Sequence, residues 1–199
     1  MLRRTLLILL MAAVCCGAAA GADTYTMDPA HSSMGFSVRH MMITNVRGGF
    51  REFSGTLMYD EQDVLKSSVE VHIKTASIDT GNANRDADLR SANFFEVETF
   101  PEIAFKSTRV AKSGDGFTLY GPLTIRDITR EVAIPFKITG KVKDPRGATR
   151  MGVEGGLTIN RKDFGVTWSR VLEGGGAVVS DVVKIELLVE FVKRAAPAP

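Results

Sequence analysis

Apolar and polar residues alternate with a period of two through most of this chain. The pattern is clearest near the C-terminus, where Val183, Ile185, Leu187 and Val189 are separated mainly by charged residues. Successive side chains of a strand point to opposite faces of a sheet, so this period indicates strands with one apolar face. Alternation of this kind is typical of antiparallel sheets, because those can expose their second face to water.

Turn-forming residues divide the alternating pattern into eight predicted strands. These strands are predicted at residues 33–40, 44–60, 67–74, 102–111, 117–126, 131–139, 149–160 and 183–191. The pair Gly48-Gly49 inside the second strand indicates a bulge or a sharp bend. Eight antiparallel strands with one apolar face each can close into a barrel, which removes exposed sheet edges. A two-sheet sandwich is the alternative.

Residues 82–93, after the third predicted strand, lack alternation and contain helix-forming residues. Asn82 or Asn84 can cap a short helix there. We therefore predict one all-β domain over residues 23–193: an extended eight-stranded antiparallel β-barrel with a short helix after the third strand. Residues 194–199, rich in alanine and proline, are predicted to form a disordered tail.

Residues 1–22 have the composition of a cleaved secretory signal peptide. Two arginines precede an uncharged, mostly apolar run over residues 5–16, and Ala20-Gly21-Ala22 is a cleavage site of small residues. A membrane anchor is one alternative, although this apolar run is shorter than the roughly 20 residues that span a bilayer. A lipoprotein signal is a second alternative, because Cys15-Cys16 follows the apolar run.

Cleavage after Ala22 would change which partners and which chemistry are open to the chain. The full sequence has 25 basic residues, 23 acidic residues and two cysteines, and the cleaved segment holds two of the arginines and both cysteines. The remaining chain is neutral, whereas nucleic-acid-binding proteins usually carry a basic excess. It also has no thiol for a disulfide, a nucleophile or a metal ligand.

Motifs for catalysis and metal binding are sparse. The sequence has no Gly-x-Ser-x-Gly nucleophile motif, and its three histidines form neither His-x-His nor His-Glu-x-x-His. Met34, Met41 and Met42 flank His31 and His40, so a soft copper(I) site is one interpretation. Methionines beside an apolar face are more often packing residues. We assign no catalytic residue and no cofactor, and whether His40, Met41 and Met42 bind a metal stays open.

Two further features have both a structural and a functional interpretation. On a helix, Asp86 and Arg90 are neighbours that can form a surface ion pair. Alternatively, Arg85 and Arg90 can offer guanidinium groups to a phosphate at a barrel mouth. The eleven phenylalanines can fill an ordinary core or line an apolar binding site, because an eight-stranded barrel is wide enough for either.

Seven short motifs, in a fixed order from about residue 24 to residue 192, resemble those of the YceI-like proteins. They are Asp28-Pro29-Ala30-His31-Ser32 with Phe36-Ser37-Val38-Arg39-His40, Val46-Arg47-Gly48-Gly49-Phe50 with Phe53 and Gly55, Ser77-Ile78-Asp79-Thr80-Gly81, Arg85-Asp86 with Leu89-Arg90-Ser91 and Phe94-Phe95, Phe100-Pro101 with Ile103, Phe105 and Ser107, Gly121 with Leu123-Thr124-Ile125, and Ile159-Asn160-Arg161 with Asp163-Phe164-Gly165. Each motif is weak alone, and together they are specific.

The resemblance implies a lipocalin-like barrel with a long apolar tunnel. It also implies that the protein lies in the bacterial periplasm and binds isoprenoid chains, such as polyprenyl phosphates or isoprenoid quinones, without enzymatic activity. The Gly-x-Trp signature of classical lipocalins is missing at Trp168. The Met41-Met42 pair also departs from the family pattern, where a more ordinary apolar residue is expected after His40.

From these considerations we predict a periplasmic protein that holds an isoprenoid lipid or quinone for transport, storage or sequestration. Its predicted tunnel residues are Phe36, Val38, Val46, Phe50, Phe94, Phe95, Phe105, Leu123, Phe136, Phe164 and Trp168. Its predicted head-group residues are Arg39, His40, Arg85 and Arg90. We expect no nucleic-acid partner, transient contact with a membrane, and a monomer or homodimer. The alternatives are a stress-related protein with a filled barrel, and a lipid-modifying enzyme that would use His31, His40, Asp79 or Asp86.

Overall fold

The structure of the protein, a computed structural model, describes residues 21–195. The predicted signal segment therefore lies outside the described residues except for Gly21 and Ala22, and the predicted tail except for Arg194 and Ala195. The first strand begins at Asp23, immediately after the predicted cleavage site. Between residues 21 and 195, no helix has the length and apolar character needed to cross a membrane.

The described part of the chain forms twelve strands and one α-helix. In chain order they are β1 (Asp23–Met27), β2 (Ser33–His40), β3 (Thr44–Phe50), β4 (Phe53–Tyr59), β5 (Ser68–Lys74), β6 (Ile78–Asp79), α1 (Ala83–Arg90), β7 (Glu102–Lys106), β8 (Arg109–Ser113), β9 (Gly116–Ile125), β10 (Ile128–Lys143), β11 (Thr149–Asn160) and β12 (Val179–Lys193). Short 3₁₀ turns cover Pro29–His31, Val64–Lys66, Thr75–Ser77 and Arg161–Phe164.

Eight of these strands close into an antiparallel barrel in the order β1, β4, β5, β7, β9, β10, β11 and β12. The ring closes because β1 pairs with β4 on one side and with β12 on the other. The first half of β12 pairs instead with β2, which continues through β3 to β6 and extends the wall at one end. The predicted all-β fold, an eight-stranded antiparallel barrel with one short helix, is thus confirmed.

Several strand boundaries differ from the prediction. The predicted strand at 44–60 is divided at Arg51 and Glu52 into β3 and β4, because β3 pairs with β2 and β6 whereas β4 pairs with β1 and β5. The strand at 102–111 is likewise divided at Ser107 and Thr108 into β7 and β8. Ser107 accepts a hydrogen bond from the N–H of Val69 at 2.8 Å, which keeps it beside β5. Strand β1 was not predicted, since its alternation covers only five residues.

The glycine pair in β3 serves close packing and not a bend. Gly48 and Gly49 keep regular pairing with β2, and the bend comes after them at residues 51–52. A Cβ on Gly48 would lie 2.6 Å from the side chain of Thr80, and one on Gly49 would lie 2.8 Å from the Met34 carbonyl oxygen. The prediction of a bulge at this pair is therefore wrong, and the glycines are needed because neighbouring segments approach closely.

Helix α1 lies over one end of the barrel, which we call the helix end. Asn82 caps the helix by accepting a hydrogen bond from the N–H of Arg85 at 3.0 Å, as one of the two sequence alternatives predicted. Asp86 is buried and accepts hydrogen bonds from both the N–H and the hydroxyl of Thr80, which tie the helix to the segment after β6. Residues 91–101, residues 161–178 and the β2–β3 and β9–β10 turns also lie at the helix end.

The core follows the inward faces of the strands and forms two clusters. One lies at the far end of the barrel, opposite α1, and comprises Tyr25, Met27, Met34, Leu57, Met151 and Phe191. The other lies towards the helix end and comprises Ile103, Phe105, Leu123, Ile125, Ile134 and Phe164. Side chains half-buried between the two clusters, such as Val69, Ile73 and Leu187, contact both.

Candidate functional site

The barrel encloses an apolar cavity of about 280 Å³. Its lining extends from Tyr59 and Met151 at the far end to Phe94, Phe164 and Val166 at the helix end. The lining side chains are almost all aliphatic or aromatic. The volume is close to the lower limit of small-molecule sites, which is roughly 300 Å³. An apolar molecule is the kind of occupant that such an apolar cavity can accept.

The alternation of the strands decides which side chains face this cavity. In β12, Val183, Ile185 and Leu187 line it, whereas Lys184 and Glu186 point to the outside and are exposed. The same rule holds in β10, where Phe136 lines the cavity. The period of two in the sequence therefore sorts wall residues into an apolar inner set and a polar outer set.

Nine of the eleven predicted tunnel residues line the cavity. They are Phe36, Val38, Phe50, Phe94, Phe95, Phe105, Leu123, Phe136 and Phe164. Val46 and Trp168 do not. Val46 pairs with Val38 across β2 and β3 and so shares its face, but it is outside the lining. Trp168 packs behind Phe94, with ring centroids 5.3 Å apart, and supports the wall from outside the cavity.

Aromatic side chains form a continuous wall at the helix end. The ring centroids of Phe36 and Phe50 are 6.2 Å apart, and those of Phe50 and Phe95 are 5.8 Å apart with the rings nearly perpendicular. Aromatic pairs in such arrangements are stabilised beyond the area they bury. This part of the cavity is therefore built from side chains that hold one another in place.

The four predicted head-group residues all lie at the helix end, but three of them already donate hydrogen bonds to neighbouring residues. Arg85 donates to the hydroxyl and carbonyl oxygens of Thr80 at 2.7 and 3.0 Å. Arg90 donates to two carbonyl oxygens in residues 76–78, at 2.7 and 2.5 Å. Arg39, at the end of β2 beside His40, is exposed and donates from Nε to the Met42 carbonyl at 3.1 Å. Arg85 and Arg90 thus hold the backbone that precedes and carries α1.

Two further arginines at this end were not among the predicted site residues. Arg161 lines the cavity, is only 5% exposed, and donates hydrogen bonds to the carbonyl oxygens of Val166 and Ser180 and to the carboxylate of Asp181. Burial lowers the pKa of its guanidinium, and Asp181 opposes that shift. Arg126 donates to backbone oxygens in two other segments of the helix end.

Arg161 could have been singled out from the sequence by its place in the Asn160-Arg161 motif that carries the family resemblance. A buried arginine in an irregular segment has to find acceptors, and in such segments these are backbone carbonyls. Arg126 belongs to no such motif, and its acceptors lie 32 and 39 residues away in the chain.

A charged cluster lies on the outer surface towards the far end. Arg150 donates to Asp28, Asp144 and Glu190. Its hydrogen bond lowers the pKa of Asp144, and that of Asp28 is lowered mainly by a hydrogen bond from His31. Ligand atoms of Asp28, His31 and Glu190 are near enough to one another to hold a cation. The guanidinium of Arg150, however, already contacts both carboxylates and supplies the positive charge.

The side chains suggested for an enzymatic alternative lie away from the cavity. His31 pairs with Asp28, Asp79 pairs with Arg51, and Asp86 binds Thr80. Neither these three nor His40 are among the side chains of residues 21–195 that line the cavity. No pair of them is therefore placed to act on a molecule inside it.

Comparison with known proteins agrees with this architecture. The YceI-like domain matches residues 25–191. A protein of Serratia proteamaculans called a UPF0312 protein is 39% identical over 171 residues, which are 84% of this chain and 88% of that protein. The crystal structure of Burkholderia cenocepacia BcnA superposes with a TM-score of 0.73 at 23% identity, over 82% of this chain and 98% of BcnA.

A second solved structure is described as a polyisoprenoid binding domain from Saccharophagus degradans. It superposes with a TM-score of 0.62 at 14% identity, over 85% of this chain and 98% of that domain. At such identities, the two structures support the shape of the barrel. The family assignment rests on the match over residues 25–191, the 39% identity to the Serratia protein and the shared barrel. This chain belongs to the YceI-like family.

Proposed function

We propose that this protein binds the apolar chain of an isoprenoid lipid, a polyprenyl phosphate or an isoprenoid quinone, inside its barrel and carries or stores it in the periplasm. The observation that supports the proposal most directly is the apolar cavity, which is lined almost entirely by aliphatic and aromatic side chains. Each CH₂ group that leaves water for such a cavity contributes roughly 0.8 kcal/mol. A chain of apolar isoprene units can thus bind without any specific polar contact.

Three further observations agree with a binding role. A structural neighbour is described as a polyisoprenoid binding domain. The titratable side chains considered for catalysis do not face the cavity. Residues 1–22 have the composition of an export signal, and Asp23, the first residue after the predicted cleavage site, begins β1. Together they favour a container outside the cytoplasm over an enzyme.

The polar head of the ligand is proposed to stay at the helix end. Arg39 is the best candidate among the predicted head-group residues, because its guanidinium is exposed and makes a hydrogen bond to one carbonyl. Arg85 and Arg90 can contribute only while they also hold the backbone around α1. A guanidinium group suits a phosphate better than a neutral quinone.

The protein is expressed from its full sequence and purified as the cell processes it, without removal of bound lipid. Organic extraction followed by mass spectrometry is expected to release an isoprenoid lipid, and intact mass is expected to show a chain that begins at Asp23. The delipidated protein is then titrated with polyprenyl phosphate and with ubiquinone. A protein that carries no such lipid and takes up neither compound would refute the proposed function.

Two adjacent residues of β11 provide a matched pair of variants. Val153 lines the cavity, whereas Glu154 is exposed on the outer face. Val153→Trp is expected to fill part of the cavity and to reduce uptake of both compounds, while Glu154→Trp leaves uptake unchanged. Equal uptake by the two variants would contradict a binding site inside the barrel. Arg39→Gln is expected to weaken the binding of polyprenyl phosphate more than the binding of ubiquinone. An equal loss of affinity for the two compounds would reject a contact between Arg39 and the phosphate.

A further inference from the structure

Exposed apolar side chains are concentrated at one place on the helix end. Nine large apolar residues among residues 21–195 are exposed, and five of them form what we call the apolar tip. The apolar tip consists of Met41 (41% exposed), Met42 (53%), Ile43 (77%), Val171 (77%) and Val182 (51%). The first three form the β2–β3 turn, and Val171 belongs to the hairpin at residues 170–178. The N–H of Met41 donates to the Val178 carbonyl at 2.8 Å, which joins the turn to this hairpin.

The β2–β3 turn holds its methionines in an unfavourable backbone conformation. The N–H of Ile43 bonds to the His40 carbonyl at 3.1 Å, and the two central residues have φ of 50° for Met41 and 62° for Met42. Turns with two positive φ values favour Asn-Gly, since left-handed backbone is strained for most other residues. Because both methionine side chains are exposed, their packing in the folded protein offsets little of the energy of this strain. Backbone strain of this kind is often found at functional sites, so the turn is a candidate for one.

The apolar tip continues into the cavity. Val38, two residues before His40, and Val179 and Val183, on either side of Val182 in β12, all line the cavity. A contact made by the tip would therefore lie beside the helix end of the cavity, on the same strands.

Basic side chains surround the apolar tip. Ser37 pairs with Arg47 of β3 and with Lys184 of β12, so these two cations share the outer face, and Arg39 follows on the same face of β2. Arg170 is exposed at the base of the hairpin. The acidic residues on the same hairpin and on the adjoining part of β12 are Glu173, Glu186 and Asp181, and Asp181 binds both Arg161 and Lys162. The surroundings of the tip are thus predominantly positive.

We propose that the apolar tip docks on the surface of an anionic phospholipid bilayer. Methionine, isoleucine and valine side chains would enter the boundary between head groups and acyl chains, as the apolar side of interfacial proteins does. Arg39, Arg47, Arg170 and Lys184 would lie at the level of the lipid phosphates. An apolar tip with a basic rim fits a bilayer surface better than it fits a protein partner. The apolar side chains match the acyl-chain boundary, and the cations match the layer of lipid phosphates. The purpose of docking, direct transfer of a lipid chain, rests on the proposed function.

Vesicle sedimentation tests the docking. The protein expressed from its full sequence is mixed with vesicles of phosphatidylglycerol and phosphatidylcholine, or of phosphatidylcholine alone. Binding is expected to be stronger to the anionic vesicles and to weaken with salt. Arg47→Gln and Lys184→Gln are each expected to lower binding about fivefold, the equivalent of ~1 kcal/mol per cation near an anionic surface. Native protein that does not sediment with anionic vesicles would refute the proposal.

The double variant Met41→Asn, Met42→Gly separates docking from folding. It removes two apolar side chains and gives the turn the residues it favours, so it is expected to unfold at the same or a higher temperature while losing vesicle binding. Ile43→Ser, whose side chain is 77% exposed, gives a second test without changing the two strained positions. The control is Val142→Ser, which removes a side chain that is 64% exposed at the far end. If the tip variants and the control bind vesicles equally, the proposal is wrong.

The same proteins distinguish this proposal from the proposed function. Uptake of a prenyl chain from detergent micelles needs the cavity and not the tip, so the tip variants are expected to load like the native protein. Val153→Trp is expected to bind vesicles normally although it loads poorly. Vesicle binding without uptake by the native protein would overturn the cavity function alone, and uptake without vesicle binding would overturn docking alone.

Discussion

Arg126 provides the sharpest test of how the helix end of the barrel is held together. Its Nη1 donates to the carbonyl oxygens of Phe94 and Gly165, both at 2.9 Å, and its Nη2 contacts the carboxylate of Glu96 at 2.7 Å. Its guanidinium also lies 5.2 Å from the ring centroid of Phe100. One side chain therefore joins the β9–β10 turn to both irregular segments that cover the cavity.

Arg126→Met keeps most of the apolar stem and removes all of these polar contacts. A hydrogen bond that involves a charged group contributes roughly 1.5–3 kcal/mol, and a partly exposed ion pair contributes about 0.5–1 kcal/mol. The side chain of Arg126 is 17% exposed and that of Glu96 is 33% exposed, so water can replace part of what is lost. We expect a net loss of about 3 kcal/mol in the free energy of unfolding, which corresponds to a fall of roughly 6–12 °C in Tm for a domain of this size.

The matched control is Arg130→Met. Arg130 is exposed and makes one hydrogen bond, to the Asp163 carbonyl at 3.2 Å, in the same 3₁₀ turn region that Arg126 reaches. We expect this variant to lose less than about 1 kcal/mol. Denaturant unfolding gives the stability change, and hydrogen exchange is expected to show lost protection at residues 94–97 and 162–166 before the barrel strands. Equal stability of the two variants would refute the role assigned to Arg126.

Three further predictions concern the barrel wall. Gly121→Ala is expected to destabilise the protein by roughly 2 kcal/mol, because its Cβ would overlap a β7 carbonyl, whereas Gly140→Ala meets open space and should change the free energy of unfolding little. The hydrogen bond with Glu102 raises the pKa of His72, so its stabilising contribution is present below about pH 6.5 and is lost as pH rises through the folded pKa. An NMR titration should show this high pKa, and Glu102→Gln should lower it. Arg150→Gln should move acid unfolding, followed by circular dichroism, to higher pH. The two aspartates that Arg150 binds have pKa values lowered by folding, and the stability they contribute is lost as pH falls through those values.

The inner face of the wall was predictable because alternation depends only on the geometry of a strand. Phe36, Phe105 and Phe136 come from strands far apart in the chain, and all were placed in the cavity from their period alone. Val46 marks the limit of that reasoning. The period gives the face on which a side chain lies, but which part of that face borders the cavity depends on neighbours from other strands.

The irregular segments could not be predicted in the same way. Trp168 was expected in the tunnel, but residues 165–178 have no period from which a direction could be read. Arg85 and Arg90 were recognised as a pair of cations. Their hydrogen bonds to backbone carbonyls could not be predicted, because only the fold brings residues 76–80 beside α1. The sequence shows which side chains carry charge, whereas the path of the backbone decides which acceptors they hydrogen-bond to.

The two ends of the barrel are closed by different kinds of structure, which bears on where a ligand can enter. At the far end, Tyr25 and Met151 are each 1% exposed, and β1 pairs with β4 on one side and with β12 on the other. Opening that end would break strand pairing and a packed core together. At the helix end, β6 pairs with β3 through two residue pairs. The irregular segments that complete the cover are held by their own backbone bonds, by packed aromatic side chains and by side-chain hydrogen bonds from arginines. Local opening is easiest where few buried contacts and few ladder bonds are lost, so the helix end is the easier route to the cavity. That end also carries the apolar tip, so a protein docked as proposed would present its weaker closure to the membrane.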